Sequence, residues 1–273
     1  MSLRKKVKPL YAFAAIVVSV FIFSGLPFLF FHTQSRKINF YKTQESHQIH
    51  QILQKGPVKE ALKTVHLSEL LELSIDQPRN IFAFDLQRAE QLLLSSGVIS
   101  SVQVTRKLPD TLEIDYEIRE PIAYLTDYSN TVLDQEGVIF PLSPYFTPKI
   151  LPKIYLGIEV DPFMYGKIEH EKMDLALKVY ALTAALHFQK GLFVDQIDVS
   201  HIKCESLGKQ EIVLTLYETL GNESYIRYLR LSKENYEEEF ANFLNLKAMN
   251  LPKNLVVDLR MFPNAYLTPL DLK

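Results

Sequence analysis

Residues 9–31 run for 23 positions without a charged side chain. As a helix rising about 1.5 Å per residue, the run is about 34 Å long, enough to cross a hydrocarbon layer of about 30 Å. It predicts a single transmembrane helix, which puts the rest of the chain on one side of a membrane. Arg4, Lys5, Lys6 and Lys8 precede the run, and Arg36, Lys37 and Lys42 follow it. Excess Lys and Arg mark the cytoplasmic side, so residues 1–8 read as a cytoplasmic tail and everything beyond residue 31 as translocated. A cleavable signal peptide would have an apolar stretch of only roughly 7–15 residues and a small-residue cleavage site. This run is longer, and Phe28, Leu29, Phe30 and Phe31 suit a signal peptidase poorly.

The charge balance then divides unevenly. The chain's net charge is -2, but the 242 residues beyond the run hold 26 basic and 32 acidic side chains. A mildly acidic outer portion argues against binding nucleic acid or anionic lipid heads. The single cysteine, Cys204, excludes an internal disulfide framework and a cysteine-cluster zinc site. It reads as a small buried hydrophobe.

Residues 32–48 are polar, lack helical periodicity and read as a linker. A short strand is expected near 49–53, then a helical stripe of Leu67, Leu70, Leu71 and Leu73 bounded by Pro78. Asp85 suits the N-cap of a second helix with Ala89, Leu92 and Leu93 on one face, and Gly97 suits its C-terminal side. Alternating apolar residues predict strands over 99–106 and 112–118, turned at Pro109 and Asp110. Strand, helix, helix, strand, strand makes a small α+β module over 49–120.

From Pro121 the chain is strand-rich, with short strands expected at 122–126, 131–133 and 138–140. Five prolines within 141–162 suggest an irregular surface connection. Residues 170–188 predict a helix with Met173, Leu177, Tyr180 and Ala184 inward. Strands are expected at 196–202, 211–217 and 224–231, the last pair turned by Gly221 and Asn222. A helix capped by Ser232 should then bury Tyr236, Phe240, Phe243 and Leu244, with Glu237, Glu238 and Glu239 as a solvated face. A last strand is expected over 255–261, with a short extended piece near 265–267. No internal repeat or low-complexity tract interrupts this order.

Catalytic constellations do not emerge. The sequence lacks a nucleophile elbow, a His-Glu-x-x-His pair and a phosphate-cradling glycine loop. Asp195, Asp198, His201 and Cys204 recur every third residue, but on a strand Asp198 and His201 would face opposite sides and could not share an ion. His47 and His50 read as a solvated pair. The expectation is therefore no catalytic, metal or cofactor site, no small-molecule substrate and no enzyme.

Three stretches resemble the FtsQ/DivIB family of bacterial cell-division proteins. Gly97, Val98 and Ile99 followed by Val102, Val104, Arg106, Pro109, Leu112 and Ile114 are similar to the hairpin of that family's POTRA domain. Arg119, Glu120, Pro121, Ile122 and Ala123 are similar to its junction between POTRA and β domains, with Arg119 and Pro121 as the junction residues. Asp258, Leu259 and Arg260 resemble the strand that follows its last long helix. Ser101, Ile118 and Met261 depart from the family's usual residues, and the glycine expected beyond Met261 is absent. The resemblance implies an α+β fold: an anchor helix at 9–31, a linker at 32–48, a POTRA domain at 49–120, a mostly antiparallel β domain with two long helices at 121–267, and a tail at 268–273.

The resemblance also implies a non-enzymatic bitopic scaffold in the inner membrane at the division septum, with its bulk in the periplasm. Its partners would be FtsB- and FtsL-like bitopic proteins and septal synthase components, joined by strand addition in support of septal peptidoglycan synthesis. By position, the contact stretch is Arg260, Met261, Phe262, Asn264, Ala265, Tyr266 and Leu267, with Phe262 and Tyr266 as apolar anchors. The alternatives are a membrane-anchored cell-wall enzyme and a POTRA-bearing transport or assembly component; neither finds its signature, a converging site or a repeated module, in this sequence.

Overall fold

A computed structural model describes residue 19 and residues 26–159, 165–184, 191–220, 223–247, 249 and 251–270. The span expected at 9–31 lies outside these, apart from residues 19 and 26–31. No helix among the described residues is long and apolar enough to cross a membrane. The turn expected at Gly221 and Asn222, and the end of the helix expected to reach 188, also lie outside them.

The first described element corrects the linker. Helix α1, Leu26–Tyr41, runs through most of that stretch and is followed by a 3-10 turn at Glu45–His47. His32, Thr33, Gln34, Arg36, Lys37 and Phe40 are all exposed, and no apolar periodicity announces the helix in the sequence. Adding a turn to an existing helix gains a hydrogen bond per residue fixed, and this helix is fastened at its far end.

An α+β module with the expected order of elements forms. Strand β1 (Gln51–Lys55), helix α2 (Thr64–Leu70), helix α3 (Leu86–Ser95), strand β2 (Ile99–Lys107) and strand β3 (Thr111–Ile118) follow in order. They make a three-stranded sheet in the order β1-β3-β2, with β1 parallel and β2 antiparallel to β3. Asp85 caps α3 as predicted, its carboxylate accepting from the Arg88 amide at 3.1 Å. Ala89 and Leu93 turn inward from α3 and meet Val104, Leu112 and Ile114 from the sheet. On the opposite sheet face Leu53, Glu113 and Thr105 fall in one row, which is why β1 and β3 alternate so cleanly.

The remainder builds a ten-stranded, mostly antiparallel sheet. Its strands are β4 (Ala123–Leu125), β5 (Thr131–Leu133), β6 (Val138–Pro141), β7 (Lys153–Tyr155), β8 (Gly166–Lys167), β9 (Leu192–Asp198), β10 (Ile212–Leu220), β11 (Glu223–Leu231), β12 (Leu255–Asp258) and β13 (Tyr266–Pro269). Their spatial order is β13-β12-β11-β10-β9-β7-β4-β5-β6-β8. Helices α4 (Glu171–Ala184) and α5 (Tyr236–Lys247) supply Met173, Ala176, Val179, Phe240 and Phe243 to one core with Leu214, Leu216, Leu229 and Val257.

Four local expectations change. Strand β7 lies inside the proline-rich stretch read as a surface connection, yet it is central, parallel to both β4 and β9. Pro152 stands just before it and offers its carbonyl to the Tyr124 amide at 2.9 Å, so the missing N–H breaks no ladder bond. Helix α4 buries Lys172, Met173, Leu175, Ala176, Val179 and Thr183, while Leu177 and Tyr180 are only half-buried, so its inward face is rotated from the expected stripe. Strand β9 ends at Asp198, and residues 200–203 turn away from it. Glu239 is fully buried rather than solvated, because its carboxylate accepts from the Ser232 amide and hydroxyl, both at 2.6 Å.

Candidate partner-binding surface

The last two strands position the surface. Strand β12 runs parallel to β11, the chain turns at residues 260–263, and β13 returns antiparallel on β12 with Asp258 opposite Tyr266 and Val257 opposite Leu267. Leu255, Val257 and Leu259 point into the core, fixing the register of β12. Strand β13 therefore forms one edge of the sheet, paired on one side only among the described residues. An edge strand presents half of its backbone N–H and C=O groups outward. Its four residues are all exposed.

The seven predicted contact residues separate into two kinds. Met261 is 63% exposed, Phe262 48%, Tyr266 58% and Leu267 43%, and Asn264 is exposed beside them. Ala265 is half-buried and packs against the main core. Arg260 is turned inward. Its guanidinium donates to Asp258 at 2.9 and 2.7 Å and to the Gly208 carbonyl at 2.8 Å, and it lies 3.4 Å from Glu211. Arg230 completes this network, bonded to Glu211 at 2.5 Å and to Asp258 at 3.2 Å. Burial pushes the Asp258 carboxyl up, but the Arg260 hydrogen bonds and the charges of Arg260 and Arg230 outweigh it and hold the group below the usual range. The expected strand 255–261 is thus a strand only to Asp258. Thr268 and Pro269, assigned from sequence to the tail, belong to β13; extended pairing with β12 marks them, and two residues leave too little alternation to read.

The junction residues tie the two sheets together. The Arg119 amide donates to the Val98 carbonyl at 2.9 Å, its Nε to the Gly97 carbonyl at 3.1 Å, and its Nη1 to Asp134 at 2.8 Å. Asp134 is 4% exposed, and its other oxygen accepts from the Glu136 and Val138 amides. Pro121 is buried, and Ile122 after it donates to the Leu133 carbonyl at 2.9 Å. The β5–β6 hairpin belongs to both cores, with Val132 and Phe140 facing the small module and Leu133 and Ile139 facing the large one. Gly97, at φ +73°, sits where a Cβ would come within 2.9 Å of Tyr165. Glu60 adds a charged contact to Lys149 at 2.7 Å, which with Thr147 holds its carboxyl below the usual range.

The metal candidates do not converge. Asp195 occupies the bulge between β9 and β10 and pairs with Lys153 at 3.1 Å, while Asp198 accepts from the Ser200 amide. His201 is exposed, and Cys204 is half-buried, with its carbonyl taking a bond from Gln210. Among the described residues no group of three or more His, Cys, Asp or Glu is placed to hold a metal ion. His47, read as solvated, is half-buried and packs against both Tyr41 and Phe82.

No curated protein matches the sequence. A family model, the POTRA domain of FtsQ type, matches residues 58–117, which runs from just after β1 to the end of β3. FtsQ-type POTRA proteins are generally non-enzymatic scaffolds associated with the division site. Residues 58–117 are thus a POTRA domain of FtsQ type, and this supports assigning the chain to the FtsQ/DivIB family of cell-division proteins.

Proposed function

We propose that this protein is a non-enzymatic scaffold of the bacterial division machinery, anchored by residues 9–31 in the inner membrane with its bulk in the periplasm. It links septal proteins by accepting a partner strand along β13 and so supports septal peptidoglycan synthesis. The observation that carries this reading is the open edge of β13 with Met261, Phe262, Tyr266 and Leu267 exposed along it, in a chain that also holds an FtsQ-type POTRA domain. Main-chain hydrogen bonds would supply affinity to an extended segment, and the exposed aromatic side chains its specificity. The partners are FtsB- and FtsL-like bitopic proteins, with septal synthase components in the same assembly. Confinement of both partners to one membrane raises their effective concentration without new contacts. Arg260 supports the surface from behind rather than touching the partner, since its donors are taken by Asp258 and Gly208.

The test is photo-crosslinking from position 266 in dividing cells that carry a fluorescent fusion. The expected result is septal fluorescence and a trapped small bitopic protein. Even fluorescence around the envelope would refute the division role; septal fluorescence with no trapped protein would refute the contact surface.

A further inference from the structure

The segment joining α1 to the POTRA domain carries more fastenings than a flexible tether needs. The Asn80 side-chain amide donates to the carbonyl of Tyr41, the last residue of α1, at 2.9 Å and to that of Gln44, just before the 3-10 turn, at 3.2 Å, adding a second donor to each beside the backbone amides of Gln44 and His47. The other end of the same amide accepts from the Phe82 N–H at 2.9 Å, which fixes its orientation. The Tyr41 ring stacks on Phe82 with centroids 5.4 Å apart and planes at 23°, and His47 packs against both. The backbone closes the joint: Ile49 donates to the Arg79 carbonyl at 2.9 Å and Ile81 to the His47 carbonyl at 2.8 Å, around an isolated bridge between Gln48 and Asn80. His50 then donates to the Asp110 carbonyl at 3.0 Å, at the turn between β2 and β3. Helix end, aromatic stack and backbone bridge all lock the same ten residues.

We infer that this joint is a fixed elbow: it holds α1 in one direction relative to the POTRA domain. The two cores share the β5–β6 hairpin and the Arg119–Asp134 pair joins the domains, so a fixed direction for α1 is also a fixed direction for the β13 edge. The consequence for docking rests on the proposed membrane anchor. With α1 continuing a membrane span, the edge is held at one orientation to the bilayer, and a partner anchored in the same membrane meets it without a search over angles. Asn80 is the positioning residue, since its side chain bonds both the end of α1 and the backbone of Phe82.

The test measures spin-label distances in the full chain in lipid nanodiscs, with Cys204, its only cysteine, changed to Ser. Labels replace exposed Arg36 on α1 and exposed Thr105 on β2; a second pair at Gln87 and Thr105 reports the fold of the POTRA domain alone. The expected result is one narrow distance distribution for the first pair. It broadens in Asn80→Asp, which keeps the acceptor for Phe82 but loses the bonds donated to Tyr41 and Gln44, while the second pair is unchanged. Should Asn80→Asp disturb the second pair as well, Phe82→Leu, which removes the aromatic stack while keeping an apolar side chain against the small core, takes its place with the same expected broadening. A broad distribution in the parent chain overturns the inference, as does one left narrow by both variants. Partner binding does not enter this readout, so failure of the scaffold reading and failure of the elbow remain distinguishable.

Discussion

Glu218 and Arg227 occupy core-facing positions on β10 and β11 where the alternation calls for apolar side chains. Leu214 and Leu216 precede Glu218 on the same face, and Leu229 and Leu231 follow Arg227. The two charges are 3% and 2% exposed and joined by an Nε–Oε2 contact of 2.5 Å. Arg227 also donates to the Pro252 carbonyl at 2.9 Å, and Lys247 stands 3.6 Å from Glu218 with a quarter of its side chain exposed. Removing one member of a buried pair leaves an uncompensated charge and costs about 3–5 kcal/mol. The structure ranks the two single changes. In Arg227→Met the stranded carboxylate still has Lys247 nearby, so the cost falls near about 3 kcal/mol; in Glu218→Leu the guanidinium keeps only a carbonyl, and the cost approaches about 5 kcal/mol.

The double variant removes both charges. It loses the bond to Pro252, worth about 1–3 kcal/mol if that carbonyl stays buried, and gains relief from desolvation of similar size. It should therefore lie within about 2 kcal/mol of the parent, far from the sum of the single changes. The chain has no tryptophan, so denaturant unfolding is followed by tyrosine near-ultraviolet circular dichroism. The reasoning is refuted if Glu218→Leu costs less than about 1 kcal/mol, or if the double variant is less stable than both single ones.

Two further outcomes follow from the ion pairs. Glu171, at the start of α4, is bonded to Lys203 at 2.8 Å and to Lys233 at 2.5 Å, and these lysines hold its carboxyl down at about 2, against an ordinary 4.5. A depressed folded value means the contribution to stability is complete above pH 4.5 and is lost as the pH falls toward about 2. Carboxyl 13C titration should place the Glu171 midpoint well below the ordinary value and return it upward in Lys203→Ala with Lys233→Ala; a midpoint near 4.5 in the parent would contradict the assignment. At the domain junction, Arg119→Met strands Asp134 with its backbone donors only and should cost about 2 kcal/mol, read as a lower midpoint of unfolding and faster proteolysis between the two sheets. Unchanged proteolysis would mean that the shared hairpin and the Glu60–Lys149 contact hold the domains together without Arg119.

What could be read from the sequence follows the physics of each element. The POTRA hairpin was legible because β2 and β3 bury one face and solvate the other, so Val104, Leu112 and Ile114 alternate against Thr105, Glu113 and Asp115. Strand β7 was not legible: three residues offer a single buried side chain, Ile154, and the flanking prolines outweighed it. The buried Glu239 is hidden for a different reason: its partner Ser232 reads in sequence as a helix cap, and nothing in a triple glutamate tells which member turns inward. Helix α1 was hidden because its polar stretch 32–37 shows no apolar periodicity, and what fastens it, Asn80 and Phe82, lies some forty residues away in the chain. The proposed contact stretch comes from position along a resemblance, and the exposure of Met261, Phe262, Tyr266 and Leu267 is compatible with it, but the inward turn of Arg260 depends on Glu211 and Gly208, some fifty residues away in the chain.

That inward turn bears on how an edge strand can serve as a docking surface. A partner strand pairing with β13 must find its backbone already extended, or the cost of ordering it is subtracted from the affinity. Strand β13 has four exposed residues and no side chain of its own in the core, so its conformation has to be imposed by β12. Strand β12 is in turn held from both faces. Leu255, Val257 and Leu259 are buried on one side, and the Arg230, Glu211, Asp258 and Arg260 network grips the other. The Asp258-Leu259-Arg260 stretch thus works by fixing the turn from which β13 departs, with Leu259 as the core peg and its two charged neighbours as the brace. Arg260→Ala should therefore weaken partner capture at position 266 even though Arg260 does not face the partner, whereas Met261→Ala, at an exposed position beside the turn, should leave β13 in place and weaken capture only through the contact it removes.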